Sequence, residues 1–435
     1  MTFLAILKDS WRETLDSKVL YFMLGLALLV VIGVGSISFQ PKPASKGLEA
    51  ILDRFPGSRL QSGFTSQPGP LRYQLEDFQQ LNDAKPWDGD YRFDLVVNEV
   101  PIKNPAKEES AKEESAEGSF ATLVWISTLQ LEEEKLSKED RETRRRLLAL
   151  REQTQREAQT IPPDQLKQFL NDKMMEEIRK VSPAQMERFI KQQLAAHGTL
   201  ETTRVHLESH KPTEYRFAVE ARGKPDTYRS WPHSTSYLFG AIPAGGSAPI
   251  GPSVFSIEDT LIGAFGASIA MLIATIITAF YIPNMLQKGT IDLLLAKPIR
   301  RSTLLIYKFI GGLTFMFVIT VFVVVGIWLV LGLRSGLWSP GFLLTIVTLT
   351  FQFAIFYAVS TLFSVLTRSP IVSILMASLA WVILFGVGWG YRVTEGTREF
   401  ELWPRWVYTT ADVAHFVLPR YKDIDALNSQ LIAHD

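Results

Sequence analysis

Leu4, Leu7, Trp11 and Leu15 fall on one face of a helix, with Lys8, Asp9, Arg12 and Glu13 between them. Over residues 1–18 this spacing predicts an amphipathic helix on a membrane surface, or a helical extension of the segment that follows. Trp11 and Arg12 then sit near the interface. Val19–Phe39 comes next and carries no charged side chain. A bilayer core takes about 20 mainly apolar residues in helical form. Further apolar runs occur at Leu261–Ile282 (with its start at 259), Leu305–Leu331, Phe342–Leu366 and Ile371–Tyr391. The pattern predicts a polytopic α-helical membrane protein with five spans, at 19–39, 259–282, 305–331, 342–366 and 371–391. Asp9, Glu13 and Asp16 do not suit the basic start of a cleaved signal peptide, so the first run reads as an uncleaved anchor.

Residues 40–258 have a different texture, that of an α+β domain. Tyr91–Val97 and Tyr215–Glu220 alternate apolar and polar side chains in the manner of strands, as does Thr203–Leu207. Phe120–Leu129, rich in β-branched and aromatic residues, reads as a further strand. A charged helical insertion occupies about 101–200. It starts with Ala106–Ser119, AKEESAKEESAEGS, a solvated linker without an apolar face. Glu132–Gln159 reads as solvent-rich helix, and its Arg144-Arg145-Arg146 run as a solvated face among acidic neighbours. Leu166, Phe169, Leu170, Met174 and Ile178 form one helical stripe; Met186, Phe189, Ile190 and Leu194 form another. Ser182-Pro183-Ala184-Gln185 between them has the form of a capping box with proline at the first helical position. The two helices form a hairpin that packs on the strands or on a partner. Trp231–Pro252 is rich in Gly and Pro and reads as a connector back to the membrane.

Charge narrows the class. In 435 residues, 45 Lys and Arg balance 45 Asp and Glu, which gives no support for a nucleic-acid partner. Cysteine is absent, which excludes disulfides and thiolate metal sites. His206 and His210 are four apart in a strand-like context, where that spacing keeps them apart, so no metal site is expected. Gly223-Lys224 runs into Pro225 and is no phosphate loop. No catalytic residues and no cofactor of the chain's own are expected. Gln352 is the most polar side chain deep in a span; it glues helices or, more weakly, lines a substrate path.

Lys and Arg also set the orientation. Lys8, Arg12 and Lys18 precede the first span, and Lys288, Lys297, Arg300 and Arg301 lie between the second and third. Both regions are then cytoplasmic, residues 40–258 extracytoplasmic, and the tail 392–435 extracytoplasmic too. The tail's own Arg392, Arg398, Arg405, Arg420 and Lys422 pull the other way, with acidic residues among them.

The cytoplasmic loop 283–304 holds the most informative string, Gln287-Lys288-Gly289-Thr290-Ile291-Asp292-Leu293-Leu294-Leu295-Ala296-Lys297-Pro298-Ile299-Arg300-Arg301. It predicts a short helix with Ile291, Leu294 and Leu295 on one edge, ended by Pro298. Such a helix docks into a groove on a soluble partner or rests on the lipid face. The string resembles the coupling segment of ABC-2 type transporter permeases, through Gly289-Thr290, Asp292, Leu294-Leu295, Pro298 and Arg301. Lys308 and Gly311-Gly312 fit as well, as does the layout of a surface helix, a first span, a large outer domain and closely spaced later spans. The chain departs from the family in having Met285-Leu286-Gln287 where many members carry Glu. It also has five spans where the family usually has six, so that either the sequence stops short of a sixth or this lineage lacks it. Trp403–Leu418 resembles the family's re-entrant elements outside the last span.

The resemblance implies an inner (cell) membrane permease subunit of an ATP-binding cassette exporter. Its partners would be a cytoplasmic ATPase subunit that binds ATP and Mg, and a second permease copy or paralogue. Lys288, Asp292, Arg300 and Arg301 would steer docking, and Ile291, Leu294 and Leu295 would fill the groove. The alternative is a membrane-anchored scaffold, or an ATP-driven mechanical transmitter, that recruits an extracytoplasmic protein through residues 130–200.

Overall fold

The computed structural model describes residues 18–62, 65–100, 118–130, 141–142, 144–145, 181–280, 301–398 and 403–433. The interfacial helix with Trp11 and Arg12, the repeat within 106–117, the stripe Leu166–Ile178 and the loop string 283–300 therefore lie outside the described residues. So does most of 132–159. The chain divides into two compact units. One comprises Met1–Ser38, Ser236–Pro243 and Gly251–Asp435, the other Phe39–Thr235 and Ala244–Ile250.

Helix α1 (Lys18–Gly35) opens the first unit and covers most of the first apolar run. The second unit includes α2 (Ala44–Leu52) and a hairpin of β1 (Arg59–Ser62) and β2 (Thr65–Pro68). β3 (Leu71–Gln80) and β4 (Asp90–Glu99) follow, then α3 (Ser119–Gln130), α4 (Pro183–Gly198), β5 (Glu201–Lys211) and β6 (Glu214–Arg222). The last four strands named form an antiparallel sheet in the order β3-β4-β6-β5. Alternation explains the strands: Tyr91, Phe93, Leu95 and Val97 are buried, as are Tyr215, Phe217 and Val219 of the strand beside them. Leu48, Ile51 and Leu52 of α2, Phe120 and Val124 of α3, and Phe189, Ile190 and Leu194 of α4 complete this core.

α4 starts as expected. The Ser182 hydroxyl accepts from the Gln185 N–H at 3.3 Å, and the Gln185 side chain accepts from the Ser182 N–H at 3.0 Å. Trp231 is fully buried and donates its indole N–H to the Lys42 carbonyl at 3.0 Å. It presses on Gly47, where a Cβ would lie 2.2 Å from the ring.

Phe120–Leu129 is helical, which corrects the strand expected from its composition. The side chains favour strands only weakly, and tertiary contacts decide. The Glu99 carboxylate, 6% exposed, accepts from the N–H groups of Gly118 and Phe120, each at 2.9 Å, and so caps the first turn of α3. Phe120 then packs on Phe189, Tyr215 and Phe217. Burial, with Glu99 alongside, pushes the Tyr215 hydroxyl up to about 12.

In the first unit, helix α5 (Ile250–Thr260) runs into a π-helical segment, Leu261–Ala270, and then α6 (Met271–Thr278). The second apolar run is thus part of a longer helical path that starts at Ile250, earlier than the residue 259 expected. Pro252 lies in its first turn, where proline lacks no needed donor. Three helices are long and apolar enough to cross a membrane among the described residues. They are α7 (Arg301–Ser335), α8 (Pro340–Thr367) and α9 (Pro370–Thr397). The last continues past Tyr391, where the sequence pattern ended it. Their outward residues, Leu333, Val347, Phe351, Leu366, Ile371 and Leu375 among them, are exposed and apolar, as a lipid-facing surface requires. Glycines let helices approach closely: a Cβ on Gly312 would lie 2.4 Å from the Tyr357 hydroxyl of α8, and one on Gly326 2.8 Å from Val31 of α1. The tail forms α10 (Arg405–Val417) and α11 (Tyr421–Ala433).

Candidate functional site

Of the residues singled out from the sequence, Trp11, Arg12 and the coupling residues Lys288, Gly289, Thr290, Ile291, Asp292, Leu294, Leu295, Pro298 and Arg300 lie outside the described residues. Arg301 is the first residue of α7. His206 and His210 both lie on β5, where His206 meets Glu187 at 3.2 Å and His210 stacks on Tyr215. Among the described residues no cluster of His, Asp and Glu is arranged to hold a metal ion.

Gln352 is where the described geometry concentrates. It sits midway along the 28 residues of α8 and is fully buried. At about 1.5 Å of rise per residue it lies roughly 18 Å from the start of that helix. The Gln352 amide N–H donates to Asp425 of α11 at 3.1 Å. One turn away, the Thr348 hydroxyl donates to the Asn428 side-chain carbonyl at 2.5 Å. Ser429 donates to Asp259, near the end of α5, also at 2.5 Å. These contacts run α11 antiparallel to α8 as a polar seam in otherwise apolar surroundings. Gln352 Oε1 and Asn428 Nδ2 are buried without a hydrogen-bond partner among the described residues. Ser339, just before α8, donates to both oxygens of the buried Glu258 at 2.8 and 3.0 Å.

α10 and α11 make a helical hairpin. Arg398, just past α9, pairs with Asp412 of α10 at 2.8 Å, and Tyr391 stacks flat on His415, ring centres 3.8 Å apart. α10 therefore runs antiparallel to α9. His415 also reaches Asp423 of α11 at 3.4 Å, which ties the two arms of the hairpin together. Trp406, Val413, Phe416 and Val417 leave α10 on its exposed side.

The seam partners Asp425, Asn428 and Ser429 were not among the residues singled out from the sequence. A local signal existed: Ile424, Asn428 and Ile432 recur at helical spacing, with Asp425 and Ser429 one position on, so a polar stripe adjoins an apolar one. In apolar surroundings such a stripe needs partners, and α8 and α5 supply them. The arrangement is chemically that of interhelical hydrogen bonding.

Comparison with curated proteins and with solved structures finds no match. A protein family described as ABC-2 family transporter protein matches residues 106–401, which is well over half of the chain and takes in α7, α8, α9 and the loop before them. With three long apolar helices and the polar seam that binds the tail to them, that match places the chain in the ABC-2 transporter family, as a multi-pass membrane permease component.

Proposed function

We propose that the chain is the membrane permease of an exporter whose ATPase is a separate cytoplasmic subunit. The family match across the loop 283–304 carries this reading. ATP and Mg bind the ATPase; this chain supplies the docking surface. Ile291, Leu294 and Leu295 fill a groove on the ATPase, and Lys288, Asp292, Arg300 and Arg301 orient them. Gly289, Thr290 and Pro298 bound the helix. A second permease, a copy or a paralogue, completes the path.

In this reading the chain crosses the inner membrane five times with a cytoplasmic N-terminus, and the sheet unit is extracytoplasmic. The α10–α11 hairpin re-enters from the outer side, which carries Asp425 to the level of Gln352. Closure of the ATPase rocks α7 to α9, and the seam passes that movement to the hairpin. A second reading, in which ATP moves the outer unit mechanically, is favoured by the separate core of that unit. Both use the same coupling loop.

The test is purification of the tagged full chain from its native membrane in mild detergent. A stoichiometric ATPase subunit is expected with the wild type and lost with Leu294→Asp, while membrane insertion is unchanged. Normal ATP-coupled activity in Leu294→Asp would refute the docking role.

A further inference from the structure

We propose that the free edge of the sheet, Leu71–Glu76 on β3, pairs with the same edge of a second copy of this chain, antiparallel and centred on Gln74. The proposal rests on the reading that two copies of the permease work together, and it states where they join.

The direction of the main-chain groups identifies the edge. In antiparallel sheets the N–H and C=O of one residue point to the same side, and successive residues alternate. Glu99 donates toward β6, to Thr213 at 2.9 Å, and Val100 donates the other way, to Pro70 at 2.7 Å. Leu71 donates away from β4, to Gly57 at 3.0 Å. Arg72, Gln74 and Glu76 therefore bond β4, and Tyr73 and Leu75 present their N–H and C=O outward. Among the described residues no hydrogen bond reaches those outward groups. Troughs lie beside them, lined on the other side by Glu49 and Asp53 near the end of α2 and by Arg59 and Gln67 of the β1–β2 hairpin. A trough of ≈ 500 Å³ runs past Arg72, Tyr73 and Gln74, and a second of ≈ 390 Å³ continues past Leu75 and Glu76.

The edge is short by construction. Asp77 has φ 48°, and the register with β4 shifts between Glu76 and Gln79. Such a bulge bends a strand away from further pairing. What remains straight is Leu71–Glu76.

The occupant follows from the sequence of that edge. Arg72-Tyr73-Gln74-Leu75-Glu76 is its own complement when reversed about Gln74. Arg72 then faces Glu76 of the other copy, Tyr73 faces Leu75, and Gln74 faces Gln74. Tyr73 and Leu75 are the residues with free main-chain groups, so each Tyr73–Leu75 pair exchanges both hydrogen bonds. Glu76 already bonds Arg216, and one carboxylate can serve both guanidinium groups. Moving the register by one residue sets outward groups against inward ones. Moving it by two calls on the Leu71 N–H, which Gly57 holds, or on the bulge. Glu49, Asp53 and Arg59 are the other charged residues that line the troughs beside the edge.

The chain has no cysteine, which makes the test direct. Gln74 would occupy a non-hydrogen-bonded pair, with Cα atoms about 4.5 Å apart, within the span a disulfide bridges. Full-length chains carrying single cysteines are oxidised in native membranes, and copy number is measured separately by native mass spectrometry. Gln74→Cys is expected to give a disulfide-linked dimer. Arg72→Cys and Glu76→Cys are expected to link only when the two variants are mixed. Arg72→Glu should abolish the Gln74→Cys link, and adding Glu76→Arg should restore it. A chain that is paired but links through Gln74→Cys no better than through Gln80→Cys overturns this edge alone. A link from Gln74→Cys to a different protein overturns it in favour of a foreign strand. A chain present as a single copy overturns both this edge and the paired-permease reading.

Discussion

Replacing Gln352 by leucine tests whether the polar seam holds the tail hairpin in place. The side chain is fully buried, and its amide donates the 3.1 Å bond to Asp425. Leucine has similar bulk, so packing changes little and the loss is mainly that hydrogen bond. Hydrogen bonds to charged groups are worth about 1.5–3 kcal/mol in water-soluble proteins, whereas interhelical bonds in membranes average about 0.6 and reach about 1.7 kcal/mol. Gln352 Oε1 is already unpartnered, so removing the amide also removes an unmet acceptor. The expected cost of releasing α11 is therefore about 1–2 kcal/mol less than in the wild type, a rise in its undocked population of roughly 5- to 30-fold. Amide hydrogen exchange of the full chain in detergent or nanodiscs reads this directly, because exchange through a rare open state scales with its population. Amides of Tyr421–Ala433 should exchange faster by that factor, and those of β4 and β6 should not change. Gln352→Glu, which sets a second carboxylate against Asp425, should open α11 further. Unchanged exchange in α11 for both variants would refute the reasoning and leave Gln352 free for another task.

Two further outcomes follow from the sheet unit. Glu99→Ala removes the acceptor for two N–H groups at the start of α3 and leaves the buried Phe120 donor and the half-buried Gly118 donor unpaired, so that unit should lose about 1–3 kcal/mol of stability, seen in the denaturant dependence of exchange in β4 and β6. His233 is held below its ordinary value of 6.5, mainly by burial and partly offset by its bond to the Trp231 carbonyl. The unfolded chain then takes up the proton first. The contribution is flat well above about pH 6.5 and stability falls as pH drops through and below it, so His233→Asn should lessen that acid-side loss in melting curves.

The elements readable from the sequence are those fixed by neighbours along the chain. β4 and β6 alternate with period two, the box at Ser182 and Gln185 closes over three residues, and the long helices show as runs of apolar side chains. α3 departs from its local pattern because its fate is decided elsewhere. Its cap, Glu99, lies 21 residues before Phe120, and its packing partners come from α4 and β6. The seam was hidden for the same reason. Asp425, Asn428 and Ser429 look like a solvated tail until Gln352, Thr348 and Asp259 are set against them, and those are 73, 80 and 170 residues away. The order of the strands, which leaves β3 at an edge, likewise depends on β6 entering between β4 and β5 after a long excursion.

The tail's positive charge, which pulls against an outer location, weighs less once its partners are known. Arg398 pairs with Asp412 at 2.8 Å and Glu395 at 3.6 Å, and lies over the ring of Tyr408. A guanidinium committed in this way fastens α9 to α10 and offers little to an anionic membrane surface. The positive-inside bias acts through Lys and Arg close to the ends of a span, and it is weak over long segments. Counting Arg398 as an orientation signal therefore overstates it. The remaining signals are Lys8, Arg12 and Lys18 before the first span and the run from Lys288 to Arg301 before the third; acidic residues lie among them as well, but both sets sit in short segments next to a span. These agree with each other and with the docking role proposed for that loop, because a segment proposed to meet a cytoplasmic ATPase has to lie on the side where these charges favour it.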